Sequence, residues 1–365
     1  MVSKKKFLVV FGTRPEALKM VSLIKELKKS NNFFETKICV TAQHRGMLDQ
    51  VLNTFSILPD YDLDLMSKNQ TLSQLTERIL ANIDGILDDF EPDMVFVHGD
   101  TTTTFATSLA CFYKKIKVAH VEAGLRTHNL MSPWPEEFNR QVTTKLCSIH
   151  FAPTITSKNN LINEKVPKES IVVTGNTIID TLFLGLEIVK EDQNIQSSFR
   201  KNHNFDLEDK TVLITGHRRE NFGEGLINIC DSLRDLSGKF RDVNFIYPVH
   251  MNPNVENIVK ARLSGIKNVF LIKPLEYLDF IFLMSKAYII LTDSGGIQEE
   301  APSLNKPVLV MRETTERPEA IKYNKVKLVG TNKEKIISEI SKLINDKIYY
   351  NSFLKNVNPY GDGRA

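Results

Sequence analysis

The strongest limit on the fold of this chain is the repeated alternation of short apolar segments with longer helical segments. Eleven short segments are rich in β-branched and aromatic residues, and we predict them as strands at 6–11, 36–40, 94–98, 118–121, 148–153, 170–175, 211–215, 243–249, 268–272, 287–293 and 307–311. They are apolar on both faces and are separated by helices, which is typical of parallel sheets covered on both sides. The sequence therefore predicts an α/β protein.

The number of strands also predicts two domains. Eleven strands are many for one open sheet, and 365 residues suit one large or two medium domains. We place the division near "VVTGNT" (172–177), which gives one Rossmann-like domain over residues 1–172 and a second over residues 173–365. Two doubly wound domains that face each other across a deep cleft form the simplest arrangement of these segments.

Composition excludes several classes of partner. The formal net charge is +3, from 47 basic and 44 acidic residues, which is too balanced to indicate binding to nucleic acid or to a membrane surface. No apolar run reaches the roughly 18 residues of a membrane span, and the run after "MVSKKK" breaks at Gly12, too early for a signal peptide. Cys39, Cys111, Cys147 and Cys230 are widely spaced, so we interpret them as reduced thiols of a cytoplasmic protein.

Charged side chains recur where predicted strands end, which is where open α/β sheets bind ligands. These positions are Arg14 with Lys19 behind it, Asp100, Glu122, His217 and His250, and Glu136 follows in the first turn of a predicted helix. A single acid at a helix start is usually a cap or a partner of the helix dipole. Acids that recur in one half of the chain, with His and Arg in the other, instead indicate a ligand site.

The segment "LTDSGGIQEEAP" (291–302) predicts a site for a nucleoside diphosphate. Ser294 can cap the helix that follows the strand, and Gly295 and Gly296 let an anion approach the backbone N–H groups at the positive end of that helix. Glu300, a turn further on, can accept hydrogen bonds from ribose hydroxyls. The chain has neither G-x-G-x-x-G after a strand nor G-x-x-x-x-G-K-[ST], so we predict no nicotinamide or other cofactor and no triphosphatase activity.

Two metal-binding patterns are weak. The D-x-D in "DLD" (62–64) lies among alternating leucines, which favours a surface strand or turn. His98, His120 and His150 flank strand ends without the spacing of a zinc site, so we predict buried histidines with satisfied hydrogen bonds. The sequence therefore predicts no metal.

Eight motifs together carry a family resemblance, and the match as a whole runs in order from about residue 7 to residue 363. They are "FGTRPEALKM", "HGDTTTTFA", "HVEAGLRT", "SPWPEEFNRQ", "TGHRREN", "YPVHMNPNV", "LTDSGGIQEEAP" and "TTERPEA". This set resembles the non-hydrolysing UDP-N-acetylglucosamine 2-epimerases. The resemblance implies a GT-B-type fold with UDP held mainly by the second domain. It also implies a cytoplasmic homodimer that interconverts UDP-N-acetylglucosamine and UDP-N-acetylmannosamine for envelope polysaccharides.

The same resemblance implies roles for individual residues. Those matching the family's catalytic groups are Lys19, Asp100, Glu122, Glu136 and His217. Those matching its substrate contacts are Arg14 near the diphosphate and sugar, Leu275 and Phe280 at the uracil, Ser294, Gly295 and Gly296 at the phosphates, Glu300 at the ribose, and Arg317 at the nucleotide. Gln43, His44 and His250 match a site where some members bind a second substrate molecule as activator. Gly46 stands where bacillus-like members carry Gln, so activation is left open.

The chemistry of the sugar favours elimination. The proton on carbon 2 is not next to a carbonyl, but it becomes acidic as the bond from carbon 1 to UDP breaks, and elimination then gives 2-acetamidoglucal. This reaction needs cations at the leaving group and carboxylates near carbon 2. Which carboxylate serves which face of the sugar is left open.

Four alternatives also remain open. A GT-B glycosyltransferase shares the fold and the UDP site, and a hydrolysing 2-epimerase releases free N-acetylmannosamine. A non-enzymatic nucleotide-sugar sensor is disfavoured by the number of catalytic-type groups. Within the family, the substrate can also be a deoxy or diacetamido UDP-sugar.

Overall fold

The computed structural model of this protein describes residues 4–42, 45–67, 70–203, 205–315, 317–354 and 358–365. Within these residues thirteen strands form two sheets. The strands are β1 Lys5–Phe11, β2 Phe34–Val40, β3 Tyr61–Asp62, β4 Met94–His98, β5 Lys117–Val121, β6 Ile149–Ala152, β7 Ile171–Val173, β8 Thr211–Thr215, β9 Asn244–Pro248, β10 Val269–Ile272, β11 Ile289–Thr292, β12 Val308–Val310 and β13 Val326–Leu328.

Helices separate most of these strands along the chain. They are α1 Arg14–Lys29, α2 Arg45–Thr54, α3 Leu72–Phe90, α4 Thr102–Tyr113, α5 Glu136–Leu146, α6 Ile155–Asn163, α7 Thr177–Glu191, α8 Gln193–Asn202, α9 Glu224–Lys239, α10 Pro253–Leu263, α11 Tyr277–Lys286, α12 Gly295–Glu300, α13 Pro318–Lys322, α14 Lys333–Asn345 and α15 Lys347–Ser352. Among the residues described, no helix is both long and apolar enough to cross a bilayer.

Both sheets are parallel and doubly wound, which confirms the predicted α/β class. The first has the order β3-β2-β1-β4-β5-β6-β7, and the second has the order β10-β9-β8-β11-β12-β13. Their cores contain apolar side chains of the central strands and the covering helices, such as Leu8, Val95 and Ile83 in the first and Ile214, Leu291 and Leu233 in the second.

The strand orders locate the candidate ligand sites. In the first sheet, the strands after β1 are added on one side of it, and from β4 onward they are added on its other side. The second sheet has the same reversal of strand order between β8 and β11. Ligands of such sheets bind outside the carboxyl ends of the strands at these switch points. In this chain those ends are followed by Arg14, Asp100, His217 and Asp293.

Two short strands lie outside the eleven predicted ones, and one of them, β3, begins the D-x-D segment for which we predict a surface strand or turn. β3 has two residues and β13 has three, and both are partly exposed, so neither produces the apolar run on which strand prediction depends. β3 contains the first aspartate of the D-x-D motif. Asp62 and Asp64 lie 2.7 Å and 3.4 Å from guanidinium nitrogens of Arg45, so in this structure both carboxylates form ion pairs.

Contacts divide the chain into two compact units. The first comprises Met1–Thr181 and Tyr360–Ala365, and the second comprises Leu182–Pro359. The limit between them lies inside α7, whereas we placed the domain division before that helix, between residues 172 and 173. The last residues belong to the first unit because the Asn176 N–H donates to the Tyr360 carbonyl at 2.8 Å and the Ala365 N–H donates to Asp180 at 3.0 Å.

Candidate functional site

Glu122 is the centre of a charged cluster in the first unit. It follows β5 with a φ of 62°, a left-handed backbone conformation that is uncommon for a residue other than glycine. Its side chain is only 7% exposed. Sparsely populated backbone conformations of this kind concentrate at functional sites, where the surrounding structure holds them.

Two cations compensate the buried charge of Glu122. Lys19 donates a hydrogen bond from Nζ to Oε2 of Glu122, and a guanidinium nitrogen of Arg140 lies 3.6 Å from Oε1. Burial by itself raises the pKa of this carboxyl, but Lys19 and Arg140 outweigh burial and hold the pKa well below its usual range. Glu122 is therefore a carboxylate at neutral pH.

Arg140 joins the second predicted acid to this cluster. Its guanidinium donates a hydrogen bond to Oδ2 of Asp100, and the neighbouring Asn139 side chain donates to the Asp100 carbonyl at 2.9 Å. Glu136 lies one turn before Arg140 on the same face of α5, and its buried Oε2 has no hydrogen-bond partner. The structure thus brings together Lys19, Asp100 and Glu122, three of the predicted catalytic residues, and it adds Arg140, for which the sequence indicates no role.

Lys19 is positioned by the start of α1. Thr13 and Glu16 form a capping box, in which Glu16 Oε2 accepts from the N–H groups of Gly12 and Thr13 at 3.0 Å and 2.8 Å. The Thr101 hydroxyl donates to the other oxygen of Glu16 at 2.7 Å, so this carboxylate also ties α1 to the turn that carries Asp100. Burial raises the pKa of Glu16 to about 6.

Arg14, the predicted diphosphate contact, is the first residue of α1 and is half-buried. The helix therefore starts with Arg14 and places Lys19 further along, inside the acid cluster.

Our prediction of satisfied buried histidines is wrong for His98. Both of its ring nitrogens are buried without a hydrogen-bond partner, and Nε2 lies 3.9 Å from Oε2 of Glu122. His120 does bond through Nε2 to the Gly99 carbonyl at 2.7 Å, but its Nδ1 and that of His150 are also buried without partners. Burial lowers the pKa of His98 to about 4, so a neutral imidazole lies beside the carboxylate.

In the second unit, His217 and Asp293 meet at the ends of the adjacent strands β8 and β11. Oδ2 of Asp293 accepts from the N–H groups of His217 and Arg218 at 2.9 Å and 2.8 Å and from the Asn221 side chain at 3.1 Å. The His250 ring stacks on that of His217, with centroids 5.4 Å apart. Burial lowers the pKa of His217, and His250 and Arg218 act in the same direction, whereas Asp293 opposes them.

The Ser-Gly-Gly segment differs from our prediction in one detail. Ser294 lies at the N-cap position of α12, but its hydroxyl makes no capping hydrogen bond. Instead its backbone N–H donates to the Thr292 hydroxyl at 3.0 Å. Gly295 makes room for Arg317, because a Cβ there would lie 2.7 Å from a guanidinium nitrogen. The glycine thus brings a cation to the start of α12, where Arg317 also donates to Glu299 at 2.7 Å.

The residues predicted for the uridine lie on neighbouring elements. Glu300 ends α12 and is buried, and its Oε1 accepts from the Tyr277 hydroxyl at 3.0 Å. Tyr277 begins α11, between Leu275 and Phe280, and both of these apolar side chains are half-buried. Tyr277 therefore connects the predicted ribose contact to the predicted uracil contacts, a link that no sequence motif indicates.

Comparisons with known proteins support one family over almost the whole chain. The family model described as "UDP-N-acetylglucosamine 2-epimerase" matches residues 25–365. Relatives of that name from Campylobacter jejuni and from Escherichia coli K12 are each 55% identical, with 99% of this chain and 95% and 96% of the relatives covered. This chain belongs to the UDP-N-acetylglucosamine 2-epimerase family. It is an isomerase, and the resemblance found in its motifs is confirmed.

Solved structures of family members have the same fold. The Neisseria meningitidis enzyme bound to UDP-N-acetylglucosamine has a TM-score of 0.90 at 53% identity, over 98% of this chain and 96% of that one. The Methanocaldococcus jannaschii enzyme, in complex with UDP-N-acetylglucosamine and UDP, has a TM-score of 0.80 at 34% identity, over 98% of this chain and 96% of that one. The GT-B-type fold class predicted for this family member is confirmed by these likenesses.

Only one of the three predicted activator residues, His250, lies among the described residues. Gln43 and His44 lie outside the described residues. His250 is exposed and stacks on His217, so it lies beside a predicted catalytic residue. The described residues contain no group of three or more His, Cys, Asp or Glu side chains placed to hold a metal ion.

Proposed function

We propose that this family member interconverts UDP-N-acetylglucosamine and UDP-N-acetylmannosamine by eliminating UDP and adding it back, without releasing free sugar. The observation that carries the proposal is the buried Glu122 carboxylate, which Lys19 and Arg140 keep ionised. Such a group is ionised at neutral pH, as a proton acceptor must be, because the neighbouring cations lower its pKa.

The reaction proceeds in two balanced steps. A carboxylate removes the proton from carbon 2 while the bond between carbon 1 and the UDP oxygen breaks, which gives 2-acetamidoglucal and UDP. A second acid then returns a proton to carbon 2 from the opposite face, and the UDP oxygen bonds again to carbon 1. No electrons are gained or lost overall, so the reaction needs no redox cofactor.

We assign the proton transfers to the first unit. Asp100 and Glu122 share Arg140, and Glu136 lies on the same face of α5 as Arg140. Their proximity supports roles on the two faces of the sugar ring, with Lys19 holding Glu122 in place between turnovers.

We assign the leaving group to the guanidinium of Arg317, to the imidazole of His217 and to backbone N–H groups. His217 and Arg317 lie in the second unit, where Arg317 contacts Gly295 at the start of α12. Charge that develops on the departing diphosphate is stabilised when donors are already in position. Arg14 at the start of α1 is proposed as a further diphosphate contact.

The function is tested by following UDP-N-acetylglucosamine with the purified protein by NMR. We expect UDP-N-acetylmannosamine to appear until an equilibrium mixture forms. Release of free N-acetylmannosamine and UDP would identify a hydrolysing enzyme, and turnover only with a sugar acceptor would identify a glycosyltransferase. The same assay with UDP-sugars altered at carbon 3 or carbon 6 defines the substrate range.

Replacing Glu300 by Ala is expected to weaken UDP binding by about 1 to 3 kcal/mol, the usual cost of losing hydrogen bonds to a charged group. Calorimetric titration with UDP measures this change. Tyr277→Phe should weaken binding less, because it removes the hydroxyl that orients Glu300 and leaves the carboxylate. Glu334→Ala, an exposed acid in the first turn of α14, is the matched control. Unchanged UDP affinity in Glu300→Ala would show that this residue does not contact the ribose.

We also propose that the protein is a cytoplasmic homodimer supplying precursors of envelope polysaccharides. The state of its cysteines supports the location, since Cys39, Cys111, Cys147 and Cys230 are all free thiols. Light scattering of the purified chain tests the dimer.

A further inference from the structure

We propose that Asp293 is a positioning residue that fixes the ring of His217 in one tautomer, with the proton on Nδ1, so that Nε2 carries the lone pair that can accept a proton. The inference rests on the proposed function, because that function gives His217 its place at the leaving group. It assigns a task to the strand-end aspartate of "LTDSGG", which the sequence analysis recognised only as the end of a strand.

The two oxygens of Asp293 have different surroundings. Oδ2 accepts three hydrogen bonds, from the backbone N–H groups of His217 and Arg218 and from the side chain of Asn221. Oδ1 is buried without a hydrogen-bond partner and lies 3.5 Å from Nδ1 of His217. One oxygen therefore holds the turn after β8, and the other faces the imidazole carried by that turn.

Because Oδ1 of Asp293 is buried, its lack of a hydrogen-bond donor has an energetic cost. The Asp293 side chain is 1% exposed, and a carboxylate oxygen left without a donor in such a place is costly. An N–H on Nδ1 supplies the donor after a small rotation of the ring, because charge-assisted hydrogen bonds of this type are about 2.7 to 2.9 Å long. The His217 side chain remains 43% exposed, so the ring is accessible to a ligand.

The charges around His217 explain why the tautomer matters. Burial lowers the pKa of the His217 ring, and Asp293 raises it. His250 and Arg218 lower it further, so the net result is a lowered pKa. At neutral pH the ring is therefore mainly uncharged and carries one N–H. With that proton on Nδ1, the lone pair is on Nε2, and Asp293 stabilises the imidazolium that forms when Nε2 takes up a proton.

Asp293→Asn tests this role while keeping the turn. The amide oxygen can replace Oδ2 as acceptor for the N–H groups of His217 and Arg218, and the NH₂ group then faces Nδ1 and forces the proton onto Nε2. We expect kcat to fall by about 10²-fold or more with a much smaller change in KM, as for other histidines that lose an orienting carboxylate. We also expect the pKa of His217 to fall further, because the one partner that raises it is gone.

Nitrogen NMR of histidine-labelled full-length protein reads the tautomer and pKa directly, and His217→Gln identifies the signal. The tautomer of His217 in the wild-type protein alone tests the proposal, so the test does not depend on whether Asp293→Asn folds. A proton on Nδ1 is expected, and a proton on Nε2 would overturn the proposal. An unchanged His217 pKa in folded Asp293→Asn would overturn it as well.

Tyr247→Phe is the matched control for a merely structural effect. Its hydroxyl donates to the Gly216 carbonyl at 2.9 Å, in the same turn, and not to the Asp293 carboxylate. This variant should melt at a lower temperature and keep the His217 tautomer, pKa and kcat. If it loses as much kcat as Asp293→Asn, turn stability explains both variants and the proposal fails. Because the NMR measurement needs no substrate, it gives its result even if the chain forms no UDP-N-acetylmannosamine.

Discussion

Asp100→Asn is expected to lower turnover by about 10²-fold or more while the protein remains folded. The loss is the size expected for a group that transfers a proton to or from a reacting carbon. The fold should survive because the amide oxygen of Asn can still accept from Arg140, and the bond from Asn139 goes to the backbone carbonyl of residue 100. Turnover is measured by NMR of the UDP-sugars, and folding is measured by circular dichroism.

Glu164→Gln is the matched control for Asp100→Asn. Glu164 also pairs with an arginine of the first unit, Arg126, at 2.6 Å, but it lies outside the cluster around Glu122. This variant should lose some stability and keep its turnover. A purely structural role for Asp100, in its ion pair with Arg140, predicts the same behaviour for Asp100→Asn. Near-normal turnover in Asp100→Asn would therefore refute its catalytic role.

Lys19→Met and Glu122→Gln are each expected to destabilise the protein by about 3 kcal/mol and to abolish most turnover. Removal of one partner of a buried ion pair leaves the other charge uncompensated, which costs about 3 to 5 kcal/mol. We expect the lower end of this range for Lys19→Met, because Arg140 remains 3.6 Å from Glu122. Urea unfolding followed by circular dichroism measures the free energy of unfolding.

The double variant Lys19→Met/Glu122→Gln separates stability from catalysis. It contains neither buried charge, so it should regain much of the lost stability, but it also lacks the proposed base and should remain inactive. A double variant that regains turnover would contradict the proposed role of Glu122. No stability loss in either single variant would contradict the buried ion pair itself.

The pH dependence of stability follows from the same pair. Folding lowers the pKa of Glu122 below its ordinary value of 4.5, so its contribution is fully present above that pH. The contribution is lost as the pH falls through the pKa of the folded state. The difference in stability between wild type and Glu122→Gln should therefore be constant near neutrality and shrink in acid.

Long apolar strands and helix starts made most of this fold predictable from sequence. All eleven predicted strands coincide with observed ones, because buried parallel strands leave continuous runs such as "KFLVVF" and "TVLIT". The two strands outside these eleven, β3 and β13, are too short and too exposed to leave such a run. Their positions are set by pairing with β2 and β12, which a local pattern does not contain.

The site was less predictable than the fold because its partners are distant in sequence. The acids Asp100 and Glu122 were found because each follows a strand, but nothing local indicates that Arg140 joins them. His98 looked like a core histidine, and only the structure places its unpaired ring beside Glu122. Glu16 was detectable, since the Thr13-x-x-Glu16 spacing is that of a capping box, whereas its bond to Thr101 depends on the packing of two turns.

Incorporation of deuterium at carbon 2 is the most direct measurement of the proposed chemistry. With the protein in deuterated water, UDP-N-acetylglucosamine should yield UDP-N-acetylmannosamine that carries deuterium at carbon 2, and the recovered substrate should gain it more slowly. Proton removal and return at carbon 2 require this exchange, whereas glycosyl transfer leaves carbon 2 protonated. If folded protein that binds UDP incorporates no deuterium into either UDP-sugar, epimerisation by elimination and re-addition is contradicted for this substrate.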